Sequence, residues 1–428
     1  MPATKTHFKT MSTPPVRKPL LSLGVALTQL LGALADRALA TELVSTFDAD
    51  GRVLAQEVVS ALQVPPQDNS SMDGYALRVS DLAAGVALPV SQRIAAGASG
   101  APLEAGTVAR IFTGAPIPPG ADAVVMQEDC SEVPASEASG GRVAIVVNTH
   151  PQLGQWIRRQ GEDVTLGHAV LRAGQRLGPA ALGMAASVGM AQLQVARRPR
   201  VALFSTGDEL VMPGQVAPEH MAPGAIYNSN RFFLASLLRR MGCDVTDLGI
   251  VPDQLDATVA ALRGATQAHD VILTSGGVSV GEEDHIKPAV QALGTLDLWQ
   301  IAIKPGKPFA HGRIGAAHFI GLPGNPVSSF MTFLLLVRPF LLRLQGVADV
   351  ALPQQTLRAD FGWPRADKRQ EFLRVRRNAA GGLDLFPNQS SGVLSSAVWG
   401  DGFVDNPASQ TIAPGDLVRF VAFNELLA

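Results

Sequence analysis

The chain has 428 residues, 46% of them hydrophobic, enough to bury more than one core, so a single domain is excluded and roughly three are expected. A net charge of −2 with no basic stripe excludes duplex nucleic acid as a partner and leaves only small anionic ligands. The two cysteines, Cys130 and Cys243, stand far apart with no CxxC or Cys/His spacing, which excludes a disulfide framework and a zinc site and points to a reducing compartment.

Residues 1–19, rich in Lys, Thr and Pro, read as a disordered leader. Arg17 and Lys18 then precede LLSLGVALTQLLGALA, which ends at Ala38, Leu39, Ala40 like a signal-peptide cleavage site. The competing reading is an amphipathic helix of a cytoplasmic protein. Leu20, Leu23, Leu27, Leu30, Leu31 and Leu34 share one face, and Thr28, Gln29 and Asp36 break the apolar run, which favours the helix. No other run approaches the roughly 20 apolar residues of a membrane span, so no membrane partner is expected.

Helical character continues to about Ser60. Residues 61–152 carry short β-prone runs at Val108–Phe112, Ala123–Met126 and Val143–Val147, punctuated by Gly and Pro, and read as an inserted β domain. Residues 153–198, with a proline-opened helix over Pro179–Gly189, would rejoin residues 20–60 as an N-terminal helical and mixed domain.

Strands and helices alternate over 199–346, which predicts a doubly wound α/β domain on a parallel sheet. Val201–Phe204 is a strand followed by a turn at Ser205, Thr206, Gly207 and Asp208. A helix capped by Asn228 or Ser229, the strand Val245–Ile250, and a helix capped by Asp253 come next. Strands at 270–273, Leu298–Ile303 and His318–Ile320 complete the sheet. Asn325 and Pro326 then open a long apolar helix to Leu344 that Pro339 should kink. Short runs over 347–428 predict a C-terminal β domain. Its cluster of Arg365, Lys368, Arg369, Arg374, Arg376 and Arg377 reads either as a solvated face or as a basic group beside an anion.

The chemistry collects at the strand ends of 199–346. TSGGVSVGEED, 274–284, joins a buried strand to Gly276 and Gly277, whose main-chain N–H groups can face a phosphate. The carboxylates that follow, through Asp284, suggest a bridging Mg²⁺. The same stretch also reads as a glycine turn opening an acidic helix. STGDEL contributes Ser205 to Glu209, and GLPGNPVSS contributes Pro323, Asn325 and Pro326 at a helix start. IKPGKPFAHGR is a proline-stiffened loop carrying Lys304 and Lys307, which suit phosphate or, equally, a plain surface turn. In a parallel sheet all carboxyl ends point one way, so these loops are expected to line one crevice. Asp253 reads equally as a cap, and Asp73, Thr113 and Asp163 lie in ordinary turn contexts.

SMDGYA, TGAP, RQGED, VALFSTGDEL, TSGGVSVGEED, IKPGKPFA and GLPGNPVSS, in this order, make the chain resemble the MoeA family of molybdopterin molybdenumtransferases, relatives of the gephyrin E domain and of the plant molybdenum-insertion protein. The resemblance runs from about Leu20 to the C-terminus. It implies insertion of molybdate into adenylylated molybdopterin, with Mg²⁺-dependent release of AMP, by a cytoplasmic homodimer. An adenylyltransferase-type upstream partner fits that step.

By motif, the resemblance assigns Asp73, Thr113, Asp163, Glu209, Asp253 and Asp284 as catalytic, with Glu209, Asp253 and Asp284 on the metal. It assigns Ser205, Thr206, Gly207, Ser275, Gly276, Gly277, Ser279, Lys304, Lys307, Pro323, Asn325 and Pro326 to substrate. It further implies that Asp73 and Thr113 of one chain meet the pocket of the other. Gln254, Asn228 and His285 depart from the family's usual acids and aromatic. The readings left beside it are a gephyrin-like scaffold and a molybdopterin adenylyltransferase.

Overall fold

The computed structural model describes residues 20–34, 39–278 and 285–427, so the expected leader over 1–19 lies outside the described residues. The chain forms two compact units, one of Leu43–Val195 and one that joins the described residues up to Glu42 to those from Ala196 onward.

The Leu43–Val195 unit contains a six-stranded sheet in the order Ala123–Met126, Gly74–Leu77, Val108–Ile111, Leu88–Ile94, Ala144–Val147, Cys130–Val133. Alternation places Tyr75, Leu77, Val108 and Val125 in one core and Ala76, Ala109, Ile111 and Val124 in another, as a period-two strand requires. Gly74 begins a strand rather than closing the expected tight turn, and a Cβ there would sit 1.8 Å from the Val125 carbonyl oxygen. A separate core around Leu54, Val58, Leu171 and Leu193 packs on the helix Pro179–Ser187.

In the other unit, helix Leu23–Gly32 starts at Ser22, whose hydroxyl accepts the Val25 N–H at 3.3 Å. Of the expected stripe, Leu30 and Leu34 are buried in the core beside Ala26, Leu23 and Leu27 pack partly against it, and Leu20 and Leu31 do not join it; burying Leu30 alone is worth about 2 kcal/mol. The expected helix to Ser60 does not continue. Thr41–Ser45 and Val58–Val59 are strands, because β-branched residues and Gly51, at φ 69°, disfavour helical winding. The expected grouping of 20–60 with 153–198 therefore divides at Glu42.

The principal sheet has six strands: β1 (Arg200–Thr206), β2 (Asp244–Val251), β3 (Val271–Ser275), β4 (Thr295–Gln300), β5 (Pro308–Ile314) and β6 (Ala317–Leu322). Their order is β2-β1-β3-β6-β5-β4. The first four in that order are parallel, and β5 alone runs the other way, antiparallel to both β6 and β4, so the all-parallel expectation is corrected to a mixed sheet. Helices α1 (Ser229–Arg240) and α4 (Pro326–Leu344) cover one face through Val201, Leu203, Val271 and Leu273. Helices α2 (Leu255–Ala265) and α3 (Ile286–Leu293) cover the other through Ala202, Phe204, Ile272 and Phe319. This is the doubly wound arrangement.

Three expectations shift locally. The run read as one strand, Leu298–Ile303, divides: the first part ends β4, while Ile303–Lys304 pairs in parallel with Gln370–Arg377 of the C-terminal sheet. Helix α4 widens into a π turn over Phe333–Val337 just before Pro339, which has no N–H for the Leu335 carbonyl and crowds it. α4 is also long and apolar enough to cross a bilayer, contrary to expectation, but it is buried in the core.

The C-terminal sheet runs Ile303–Lys304, Gln370–Arg377, Gly402–Asn406, Leu417–Ala422, Gln355–Arg358, with Leu383–Leu385 paired beside Gln370–Arg377. Phe372, Phe403 and Val421 merge with the core of α1 and α4, so the two sheets share hydrophobic packing.

Candidate active site

The four parallel strands end at one edge of the principal sheet, and the loops that follow them line a cleft of about 770 Å³. Thr206, Gly207 and Glu209 come from the end of β1, Asp253 from β2, Ser275, Gly276 and Gly277 from β3, and Pro323, Asn325 and Pro326 from β6. Because β5 is antiparallel, its amino end reaches the same edge and adds Pro308. The convergence expected from the sequence is thus observed. Not every expected residue follows: Ser205 belongs to β1 rather than to a turn, is 1% exposed and does not line the cleft, and Lys304 and Lys307 line a smaller pocket instead.

The glycine pair is a close approach. Gly276 and Gly277 have φ of 95° and 66°, and a Cβ on Gly277 would meet Ile286 at 2.5 Å and the Thr206 hydroxyl at 3.0 Å. Asn230 ties the wall together, its amide donating to the Ser275 hydroxyl at 2.8 Å and to the Gly324 carbonyl at 2.7 Å. The one signal for Asn230 in the sequence was its position as the second residue of a helix.

The two lysines part company. Lys304, drawn to the C-terminal sheet by the Ile303–Lys304 ladder, pairs with Glu371 at 3.0 Å and Asp367 at 3.5 Å. Lys307 is exposed, with no partner among the described residues, beside a smaller pocket of about 330 Å³ shared with Asn325, Ser328, Gln389 and Ser390. The loop is therefore half engaged in structure and half open to a ligand.

Within the basic cluster, Arg374 is 1% exposed and so is not part of a solvated face. Its guanidinium donates to the Phe372 carbonyl at 2.9 Å and the Ser396 hydroxyl at 3.1 Å, and burial pushes its pKa down to about 10. The guanidinium also donates to the Ser390 carbonyl at 3.4 Å, and Gln389 accepts the Arg374 main-chain N–H at 2.9 Å; both residues line the smaller pocket. A cluster of arginines gave no means of telling which one is buried.

Glu209 and Asp253 are the carboxylates of the cleft. Asp253 is not the cap of α2; Gln254 occupies that position without a side-chain bond, and Asp253 stands in the cleft wall. Neither carboxylate has a protein partner among the described residues. Ser279 and Asp284, with the acidic residues before Asp284, lie outside the described residues. Among the described residues no group of three or more His, Cys, Asp or Glu could hold a metal by itself. Two unpartnered carboxylates nevertheless fit Mg²⁺, which keeps several waters and takes one or two carboxylates together with phosphate oxygens.

In the Leu43–Val195 unit, Asp73 and Thr113 meet. One Asp73 oxygen accepts both the Thr113 N–H and its hydroxyl at 2.8 Å. These bonds, the N–H first, hold the Asp73 carboxyl below its ordinary pKa. Asp163 is exposed, and among the described residues its one bond is on the main chain, its N–H donating to the Val64 carbonyl at 3.0 Å.

Three family descriptions match in succession: the MoeA N-terminal region (domains I and II) over residues 21–189, a probable molybdopterin binding domain over 202–343, and the MoeA C-terminal region (domain IV) over 356–423. A molybdopterin molybdenumtransferase of Haemophilus influenzae is 37% identical over 397 residues, covering 90% of this chain and 95% of its own. One from Synechococcus elongatus is 37% identical, covering 91% and 96%. The solved MoeA protein of Pyrococcus horikoshii OT3 superposes with a TM-score of 0.80 at 27% identity, over 95% of this chain and all of its own. With matches along nearly its whole length and a strand-end cleft where the binding domain is recognised, the chain belongs to the MoeA family of molybdenum cofactor biosynthesis proteins.

Proposed function

We propose that the chain is a molybdopterin molybdenumtransferase, which inserts molybdate into adenylylated molybdopterin and releases AMP. The observation that carries this reading is the convergence of the loops after β1, β2, β3 and β6 on one cleft, within a chain whose relatives bear that name. A substrate with a pyrophosphate, brought beside an oxometalate, concentrates negative charge. The main-chain N–H groups of the Gly276–Gly277 turn offset that charge from fixed positions, so little reorganisation is needed there, and Lys307 adds its charge from the smaller pocket, which shares Asn325 and Ser328 with the cleft. Asn230 holds the Ser275 and Gly324 loops at a constant separation, which keeps the ligand's two ends oriented.

Glu209 and Asp253, joined by Asp284, would hold Mg²⁺, which when bound supplies charge neutralisation at the phosphate oxygens. A homodimer in the cytoplasm, with Asp73 and Thr113 acting in trans, and an upstream adenylyltransferase that supplies the substrate belong to the same proposal.

The purified chain is mixed with adenylylated molybdopterin, molybdate and Mg²⁺, and AMP and pterin-bound molybdenum are measured. Equal yields of both support the proposal. In a parallel mixture with molybdopterin and ATP, ATP consumption without molybdenum transfer would assign adenylylation instead, and absence of AMP release in the first mixture would overturn the reading.

A further inference from the structure

The start of α1 carries an unfilled requirement. Asn228 precedes the helix and is 2% exposed, and its Oδ1 accepts the Arg231 N–H at 3.2 Å. That bond fixes the carboxamide over the helix start, and because the group is planar its Nδ2 is fixed there too. Nδ2 is buried and has no acceptor among the described residues. Leaving such a donor unsatisfied is costly, so in a folded protein it is completed by ordered water, an ion or a ligand. The N–H groups of Ser229 and Asn230, the first two of a 12-residue helix, likewise have no intrahelical acceptor. Asn228, Ser229 and Asn230 all line the cleft.

Donors therefore gather at the α1 start, and carboxylates at Glu209 and Asp253 in the same cleft wall. The neighbouring Tyr227 does not compete, since its hydroxyl is committed to the Val216 carbonyl at 2.6 Å.

We propose that Asn228 is a binding and specificity residue, which, with the first N–H groups of α1, takes a phosphate-type oxyanion through donated hydrogen bonds. The inference rests on the proposed function for the source of that oxyanion, either the nucleotide phosphoryl group or molybdate. The contact is made by neutral donors at the positive end of a helix, so it needs no titrating group.

Asn228→Asp, which installs the acid usual in the family at this position, is the decisive variant for a donor that is this chain's own departure. It keeps an oxygen for the Arg231 N–H and so preserves the cap, while replacing the donor with a negatively charged acceptor. Asn228→Ser keeps the cap and removes the amide donor without adding charge. AMP and molybdate are titrated separately by calorimetry against the full chain without Mg²⁺, and Tm is recorded for each variant.

The expected result is binding of at least one probe weakened about tenfold or more in Asn228→Asp, with Asn228→Ser between it and the parent, at unchanged or higher Tm. The weakened probe identifies the oxyanion. Unchanged affinity for both probes in Asn228→Asp, or weakening that follows a fall in Tm, would overturn the inference. So would failure of the parent chain to bind either probe. The proposed transferase reading is judged separately by the AMP-release assay.

Discussion

Two groups of acids in this molecule are held in opposite ways. Asp73, in the Leu43–Val195 unit, is engaged by both polar groups of Thr113, whereas Glu209 and Asp253, in the strand-end cleft, have no protein partner among the described residues. The first is a finished arrangement whose geometry is set by folding. The second keeps its lone pairs free, which is the state expected of groups that meet a ligand. Satisfied and unsatisfied acids therefore separate a positioned side chain from a receptive one more sharply than their sequence motifs do.

The contrast can be broken most directly in the cleft. Combining Glu209→Gln with Asp253→Asn should lower AMP release by about 10³-fold, on the order of 4 kcal/mol in the barrier, while stability shifts by less than about 0.5 kcal/mol. A comparable loss of stability would show that these acids are structural after all.

On the other side of the comparison, Gly74→Ala pushes a methyl group into the Val125 carbonyl beneath Asp73, and denaturant unfolding should show a loss of about 3 kcal/mol. A neutral result would mean that the strand start is not rigid enough to position the acid.

The sheet domain has its own acid-sensitive control in His311, 6% exposed on β5 beside His318 and Trp299. Burial pushes its pKa down to about 4, so the unfolded chain takes up the proton first. Stability should be constant above about pH 6.5 and fall between there and about pH 4, by on the order of 3 kcal/mol for this group. His311→Asn should flatten that slope in pH-dependent melting, without altering the behaviour of Asp73.

Asp73 carries the same sign in a more acidic window. Its lowered pKa contributes stability above the ordinary aspartate range, which is lost as pH falls through the folded value. The smallest expected effect is that of Thr113→Val, which keeps the N–H bond and removes the hydroxyl: turnover should drop roughly tenfold with the fold intact, as measured by AMP release and circular dichroism. No change would place the anchoring of Asp73 in the backbone alone.

The crevice was legible because its logic is local and additive. Each of TGDEL, TSGG and GLPGNP follows a short apolar run, and parallel strands carry such endings to one edge whatever lies between them. Pro308–Ile314 was not legible as a strand, since its flanking prolines argue for a stiff loop, and only pairing with Ala317–Leu322 overrides that preference. Asp253 looked like a cap because caps are read from spacing, yet the helix starts one residue later and leaves its carboxylate free. Lys304 and Lys307 are three residues apart in identical chemistry. What separates them is Glu371, far along the chain, which no local pattern could introduce. The same holds for Arg374, whose burial depends on Ser396 and Gln389.

The two-residue ladder between Ile303–Lys304 and the strand beginning at Gln370 couples the cleft to the rest of its unit. Lys304 is clamped at one end of the KPGKP loop while Pro308 enters β5 at the other, so the loop is slung between two sheets like a cable between towers. Lys307, between those two anchors, therefore takes its place from both sheets rather than from either alone.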